Sequence, residues 1–310
     1  CSASVDQDPN ASPCVMTKAD LSLGFVGLGA LGLPMAINLR RAGFPLRVHS
    51  RSRTTETDPN LEGAARCSSP ADASTGVDVL LLCVSDDAAV EQVLFGPNGA
   101  ASQLSAGSVV LDCSTIAPAT AQRCAERLAH QNVHYLDAPV TGGTEGARRG
   151  SLTVLVGGAS EILERVQPIL EVIGGSVHHF GSVGRGQQVK AVNQVLVAGS
   201  YAAVAEAISL GQRLDLPMPQ VIDALKNGAA GSWALEHRST AMLEGSYPLG
   251  FRLSLHRKDL GIALEASKAV QLDLPVTSLV EQLELDLIQN GHGDEDVSAL
   301  HRWNQTRQES

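Results

Sequence analysis

The 310-residue chain has no C-x-x-C pair, no combined cysteine and histidine set at zinc-site spacing, no apolar run long enough to cross a bilayer and no surplus of positive charge. Its six cysteines (Cys1, Cys14, Cys67, Cys83, Cys113 and Cys124) are scattered, and Cys83 and Cys113 sit inside apolar runs. They read as reduced thiols of a cytoplasmic protein without disulfides, since a chain this long can bury a core without covalent staples. His178 and His179 are neighbours on a predicted strand, so their side chains leave opposite faces and cannot share one ion; no metal is expected. The longest apolar stretch, residues 191–205, contains polar residues and is too short for a membrane span. A formal net charge of −10 repels phosphate backbones and anionic lipid, which sets aside nucleic acid and membranes as partners. An anionic cofactor or substrate then needs a pocket of backbone N–H groups with a few Lys and Arg side chains.

What is present is organised in two styles. Residues 1–20 are small and polar and read as a disordered leader, with Met16 a candidate start. Over 21–183, apolar β-type runs ("LSLGFVG", "PLRVHSR", "VDVLLLCVS", "SVVLDCS", "VHYLDAPV", "SLTVLVGG") alternate with helical stretches, the βαβ rhythm of a parallel sheet covered on both faces. Over 184–310 the pattern becomes helical, beginning with a long segment that is apolar nearly all the way round and is expected to be buried along its length, with Pro217 and Pro219 stopping it. The predicted fold class is therefore α/β, a Rossmann-type doubly wound sheet followed by an all-α C-terminal domain.

Gly27, Gly29 and Gly32 fit G-x-G-x-x-G directly after the first strand and at the opening of a helix. In that context the first glycine permits a tight turn, the second admits a pyrophosphate and the third lets helix and strand pack closely. An NAD site expects an acid about 20 residues further on, at the end of the second strand. Here that strand ends "VHSRSR", so Ser50 stands in the acid's place, followed by Arg51 and Arg53. A 2′-phosphate would meet positive charge there, and NADP(H) is expected over NAD(H).

Lys190 opens the long apolar helix just after the domain junction, where a charged side chain is costly unless it faces a polar cleft. Asn193 and Gln194, three and four positions on, share its face. "VTGG" (140–143) follows a strand and leaves N–H groups open to an anion, with Thr141 adding a hydroxyl. "GSWALEHR" (231–238) reads as core packing around Trp233 or, as the alternative, as part of the wall of a cleft between the two domains, with packing favoured.

With "GFVGLGALGLPMA" (24–36), "DAPVTGGTEGARRGSLTVLVGG" (137–158), "GRGQQVKAVNQ" (184–194) and "FRLSLHRKDL" (251–260) in this order, the chain resembles the β-hydroxyacid dehydrogenase family from about Leu21 to Leu300. Members include 3-hydroxyisobutyrate dehydrogenase, tartronate semialdehyde reductase and the glyoxylate/succinic semialdehyde reductases. The resemblance implies that Lys190 is catalytic. For the substrate it implies contacts from Ser114, Thr141, Gly142, Gly143, Asn193, Gln194, Phe251 and Asp259. For the cofactor it implies Gly27, Leu28, Gly29, Ala30, Leu31, Gly32, Ser50, Arg51, Ser52, Cys83, Val84, Ser85, Thr115 and Lys258. Many relatives carry Ser where this chain has Thr141, and Asn where it has Gln194.

The implied activity is NADPH-dependent reduction of a small carboxylate-bearing aldehyde of the tartronate semialdehyde kind, or oxidation of the matching β-hydroxyacid, with Lys190 giving and taking the proton. Lys-x-x-Asn-Gln resembles the tartronate semialdehyde reductase branch, whereas "SYPLGFRL" resembles the glyoxylate/succinic semialdehyde reductases. 3-Hydroxyisobutyrate dehydrogenase is a further alternative. A reading of another class is a dinucleotide-binding sensor without turnover. The apolar helix also predicts a homodimer or homotetramer, because so small a helical domain cannot easily cover it alone.

Overall fold

The computed structural model describes residues 21–306; the expected leader, with Cys1, Cys14 and Met16, lies outside them. The first half runs β1 (Leu23–Val26), α1 (Gly32–Arg41), β2 (Leu46–His49), β3 (Ala65–Arg66), α2 (Pro70–Ser74), β4 (Val79–Leu82), α3 (Asp87–Phe95), β5 (Val109–Asp112), α4 (Pro118–Ala129) and β6 (His134–Asp137). It continues through β7 (Val140–Thr141), α5 (Gly143–Arg149), β8 (Leu152–Val156), α6 (Ser160–Ile173) and β9 (Gly174–His179). The rest is helical: α7 (Arg185–Arg213), α8 (Met218–Leu225), α9 (Trp233–Glu244), α10 (Leu253–Ala269), α11 (Pro275–Gln289) and α12 (His301–Thr306).

Strands β1, β4 and β5 are buried at every position, which only a sheet sandwiched between helices permits. The sheet order is β3-β2-β1-β4-β5-β6, all parallel. One core lies beneath α1 and α6, around Phe25, Met35, Leu39 and Leu111. A second lies beneath α2, α3 and α4, around Leu80, Leu82, Val110 and Leu128. The chain leaves β1 in one direction through β2 and in the other through β4, so the crevice for a ligand opens at the carboxyl ends of β1 and β4.

Two features differ from the sequence expectation. "SLTVLVGG" does form a strand, β8, but in a separate three-stranded sheet, where β7 pairs with it antiparallel and β9 parallel. The sixth parallel strand is instead the two-residue β3, too short to carry a pattern. Helix α7 is also not buried along its length: Val192, Leu196 and Leu210 are 63%, 69% and 61% exposed. Its other face packs on β8, α4 and all the later helices. Among the described residues α7 is the one helix long and apolar enough to cross a membrane by length and composition, longer than the 191–205 run because it continues to Arg213. It ends there, before either proline, and Asp215 turns the chain with φ +51°.

The start of α7 is fixed by Asp137 at the end of β6. One carboxylate oxygen accepts from Gly184 N–H at 2.7 Å and the other from Gln187 N–H at 2.9 Å, an acid on the positive end of a helix. The Gln187 amide donates to Ser114 O at 2.8 Å and accepts from Ile116 N–H at 3.2 Å. The first turn of α7 is thus fastened to the ends of β5 and β6, one turn before Lys190. Cys67, Cys83, Cys113 and Cys124 are free thiols.

Candidate active site

The three glycines of the first turn are glycines for different reasons. Gly27 has φ +102°, and a Cβ there would lie 2.2 Å from the Cys83 carbonyl oxygen. At Gly32 a Cβ would lie 1.9 Å from Gly27 O. Both are demanded by packing and conformation. Gly29 is not: a Cβ there would meet nothing within 4 Å. A side chain at 29 would fill only the space in front of the turn, where α1 begins without a side-chain cap and without an acidic residue in its first turn. The loop therefore fits a dinucleotide pyrophosphate, whose oxygens the backbone N–H groups of 29–32 can reach.

Between this sheet edge and the helices lies a cleft of about 490 Å³. It gathers residues from every predicted motif: Leu31 from the glycine turn, Cys83, Val84 and Ser85 after β4, and Ser114 and Thr115 after β5. Facing them are Thr141, Gly142 and Gly143, then Lys190, Asn193 and Gln194 on α7, and Phe251, Lys258 and Asp259 around α10. Gly27, Leu28, Gly29, Ala30 and Gly32, with Ser50, Arg51 and Ser52, lie outside this cleft, along the ends of β1 and β2.

Lys190 is 6% exposed. Its Nζ donates to Val140 O at 2.9 Å and stands 6.0 Å from the centre of the Phe251 ring. Burial holds its pKa down to about 8, opposed by the Asp259 carboxylate and assisted by the Lys258 charge. Asn193 Nδ2 donates to Gln194 Oε1 at 2.7 Å, and Gln194 Nε2 donates to Asp259 Oδ2 at 2.8 Å. The other Asp259 oxygen is 2.9 Å from Lys258 Nζ, which also donates to Thr115 O. A continuous polar chain therefore runs from α7 through α10 to the end of β5. The Asp259 carboxylate is thereby flanked by one hydrogen bond and one cation, the pairing that a buried charge requires.

Ser114 is nearly sealed. Its hydroxyl accepts from Val84 N–H at 3.0 Å, and its own N–H donates to Asp112 Oδ1 at 2.9 Å. Asp112 also accepts from Tyr135 OH at 2.8 Å, and burial raises its pKa to about 6. Gly142 and Gly143 have φ +127° and +62°, so both turn in the left-handed region that favours glycine. The burial of Cys83 lifts its thiol to about 12, so it lines the wall as an uncharged group.

Three placements correct or extend the sequence reading. Trp233 is not a core residue: it is 42% exposed, lines the cleft and stacks on His237 with centroids 4.7 Å apart. Arg53, half exposed at the end of β2, is not a free charge but reaches the buried Glu56 at 3.2 Å. Arg238, not singled out by the sequence, lies in the cleft wall with Nη2 2.7 Å from Glu145 and Nε 3.3 Å from Asp296. Since Asp296 also accepts from Phe251 N–H at 2.8 Å, Arg238 ties α5 to the Phe251 loop. Ser200 and Tyr201 extend the Lys190 face along α7, a ladder that i+3 and i+4 spacing could have carried further. Arg238 left no comparable signal, because a single arginine on an amphipathic helix reads as surface.

A doubly wound sheet, a glycine turn shaped for a pyrophosphate and a buried lysine across the crevice define a dinucleotide-dependent oxidoreductase. Residues 22–181 match the model of the NAD binding domain of 6-phosphogluconate dehydrogenase. Residues 184–304 match that described as NAD-binding of NADP-dependent 3-hydroxyisobutyrate dehydrogenase. The 2-hydroxy-3-oxopropionate reductase of Escherichia coli K12 is 38% identical over 280 residues, 90% of this chain and 96% of its own length. A crystal structure described as 3-hydroxyisobutyrate dehydrogenase from Salmonella typhimurium superposes with a TM-score of 0.84 at 32% identity, covering 91% of this chain and 99% of that one. Psf3, solved with NADP+ and 2-OPP, gives a TM-score of 0.84 at 27% identity, covering 90% and 99%. The chain belongs to the β-hydroxyacid dehydrogenase family. It is an NAD(P)-dependent oxidoreductase acting on the CH–OH groups of small hydroxyacids.

Proposed function

We propose that the protein is an NADP(H)-preferring reductase of a small carboxylate-bearing aldehyde, 2-hydroxy-3-oxopropionate (tartronate semialdehyde) or a close analogue, with Lys190 as its acid. In this reading residues 21–183 hold the dinucleotide and residues 184–310 complete the substrate site. Working in the cytoplasm as a homodimer or homotetramer suits the same reading. The observation that carries it is the buried Lys190 ammonium facing a cleft between the two halves.

Bound NADPH supplies the hydride that reduces the carbonyl carbon. An ammonium has three N–H donors, and Val140 O takes one of them, which leaves the others for the substrate oxygen. As that oxygen gains negative charge, Lys190 stabilises it and passes it a proton; in the oxidative direction the neutral amine takes the proton back. Burial keeps this proton near neutrality, since a pKa of about 8 allows both states at working pH. Asn193 and Gln194 hold Asp259 in place, and its carboxylate keeps Lys190 charged more of the time than burial alone would. Thr141, Gly142 and Gly143 present the substrate carboxylate with N–H and hydroxyl donors, Ser114 and Phe251 close its pocket, and Lys258 and Thr115 line the cofactor side. At the dinucleotide end the turn over Gly27–Gly32 takes the pyrophosphate, the backbone of Leu28, Ala30 and Leu31 included. Cys83, Val84 and Ser85, which line the cleft, would contact the cofactor, and Ser50, Arg51 and Ser52 would hold the adenosine ribose.

Consumption of NADPH with tartronate semialdehyde, glyoxylate, succinic semialdehyde and methylmalonate semialdehyde tests the proposal. The highest kcat/KM is expected for tartronate semialdehyde, and a higher value with NADPH than with NADH. Turnover of glyoxylate or succinic semialdehyde ahead of it selects the alternative branch, and the same for methylmalonate semialdehyde selects the 3-hydroxyisobutyrate type. Absence of turnover with tight NADPH binding leaves a dinucleotide sensor.

A further inference from the structure

The end of β2 lacks the acid that a dinucleotide fold keeps there, yet an acid is close by. Glu56 is 2% exposed, and its Oε1 accepts from Ser50 N–H at 2.7 Å. Its Oε2 lies 3.2 Å from Arg53 Nη2. Ser50 to Arg53 form a turn closed by Arg53 N–H donating to Ser50 O at 3.0 Å, with Arg53 at φ +62°. The carboxylate thus sits beneath the turn and grips both of its ends. From there it faces the protein, so it does not do what an acid at position 50 would do for the ribose hydroxyls. A buried carboxylate must be paired; the pairing uses Arg53, with His49 Nδ1 at 3.7 Å from Oε1 on the strand side. Arg51, Ser52 and Arg53 are all exposed, but Arg53 is paired with Glu56 whereas Arg51 makes no side-chain hydrogen bond or ion pair with any described residue.

We propose that Glu56 is the positioning residue of the adenosine-ribose site. By holding Ser50 and Arg53 it fixes the turn on which Arg51 and Ser52 meet a 2′-phosphate, and it withdraws Arg53 from that contact. This rests on the NADP(H) reading above. A 2′-phosphate is doubly charged and takes charge-assisted hydrogen bonds from a planar guanidinium. Such bonds depend on a backbone that does not move, and a turn ending in a left-handed arginine needs an external hold.

Calorimetric titration with 2′,5′-ADP and 5′-AMP separates the two readings without turnover, since the ligands differ only in the 2′-phosphate. The intact protein is expected to bind 2′,5′-ADP at least about tenfold more tightly, and Arg51→Ala to remove that advantage. No advantage in the intact protein overturns the NADP(H) reading, and an advantage that survives in Arg51→Ala overturns the Arg51 contact. Glu56→Ala is expected to weaken 2′,5′-ADP about tenfold and leave 5′-AMP unchanged. Glu56→Gln, which still accepts from Ser50 N–H, recovers part of the loss, and Arg53→Ala costs less than Arg51→Ala. An unchanged or tighter 2′,5′-ADP affinity in Glu56→Ala, with Arg51→Ala behaving as expected, overturns the role of Glu56 alone. So does an equal loss of both ligands in Glu56→Ala and Glu56→Gln, which marks a structural residue.

Discussion

Lys190 donates its ammonium to the carbonyl oxygen of Val140 at 2.9 Å, the residue immediately before the Thr141–Gly143 turn. The proton donor is therefore held by the same strand end that carries the proposed carboxylate cradle, and the two keep a fixed separation.

Replacing Lys190 with Ala removes the only ammonium proposed to reach the substrate oxygen. Loss of one such preorganised donor costs about 10²–10³ in kcat. NADPH affinity, measured by fluorescence titration, is expected to stay unchanged, because the glycine turn and the end of β2 are untouched. Near-normal kcat in this variant would remove Lys190 from the chemistry.

The pH profile should carry the same signature. With a Lys190 pKa of about 8, kcat/KM for reduction is expected to fall as pH rises through about 8, because the acid form is lost. The oxidative direction is expected to rise through the same point. Asp259 opposes the depression, so Asp259→Asn should move the midpoint downward. An upward shift would show that the carboxylate acts on Lys190 otherwise than through its charge.

Gly29→Ala and Gly32→Ala should part company. At Gly29 a Cβ meets nothing within 4 Å, so thermal stability is expected to hold while NADPH affinity drops at least about tenfold, the added methyl standing where phosphate would approach. At Gly32 the Cβ would lie 1.9 Å from Gly27 O, and overpacking of this kind costs about 1–3 kcal/mol. Thermal melts beside NADPH titrations check both. A destabilised Gly29→Ala with normal affinity would make the loop a packing device.

The exposed side of α7 bears on assembly. Val192 and Leu210 are 63% and 61% exposed, an apolar face that a second copy of the chain would cover. Light scattering is expected to give a multiple of 32.4 kDa, and Leu210→Glu to lower it. A single-chain mass for the intact protein at micromolar concentration rejects the oligomer.

Much of this was legible because period and punctuation are local properties. Gly27, Gly29 and Gly32 announce themselves by position after a strand, and Lys190 by being a charge where apolar residues are the rule. β3 was hidden because two residues carry no alternation, and the separate pairing of β8 because its apolar run looks the same in either sheet. Trp233 faces the cleft because α9 is set by Arg238, Glu145 and Asp296, three residues far apart in sequence. Glu56 was silent for the same reason: a charged residue in a polar loop reads as solvated until the turn above it is seen.

Asp137 gives the junction at 183/184 a mechanical meaning. By sequence Lys190 belongs to the helical half, but the carboxylate beneath its helix makes it move with the nucleotide-binding sheet. A fragment ending at residue 183 would leave that buried carboxylate without the Gly184 and Gln187 N–H donors, and a lower melting temperature is expected for it than for the full chain. From the other side of the cleft Lys258 on α10 bonds to Thr115 O, so the sheet edge that ends β5 and β6 anchors both helices that carry the polar chain.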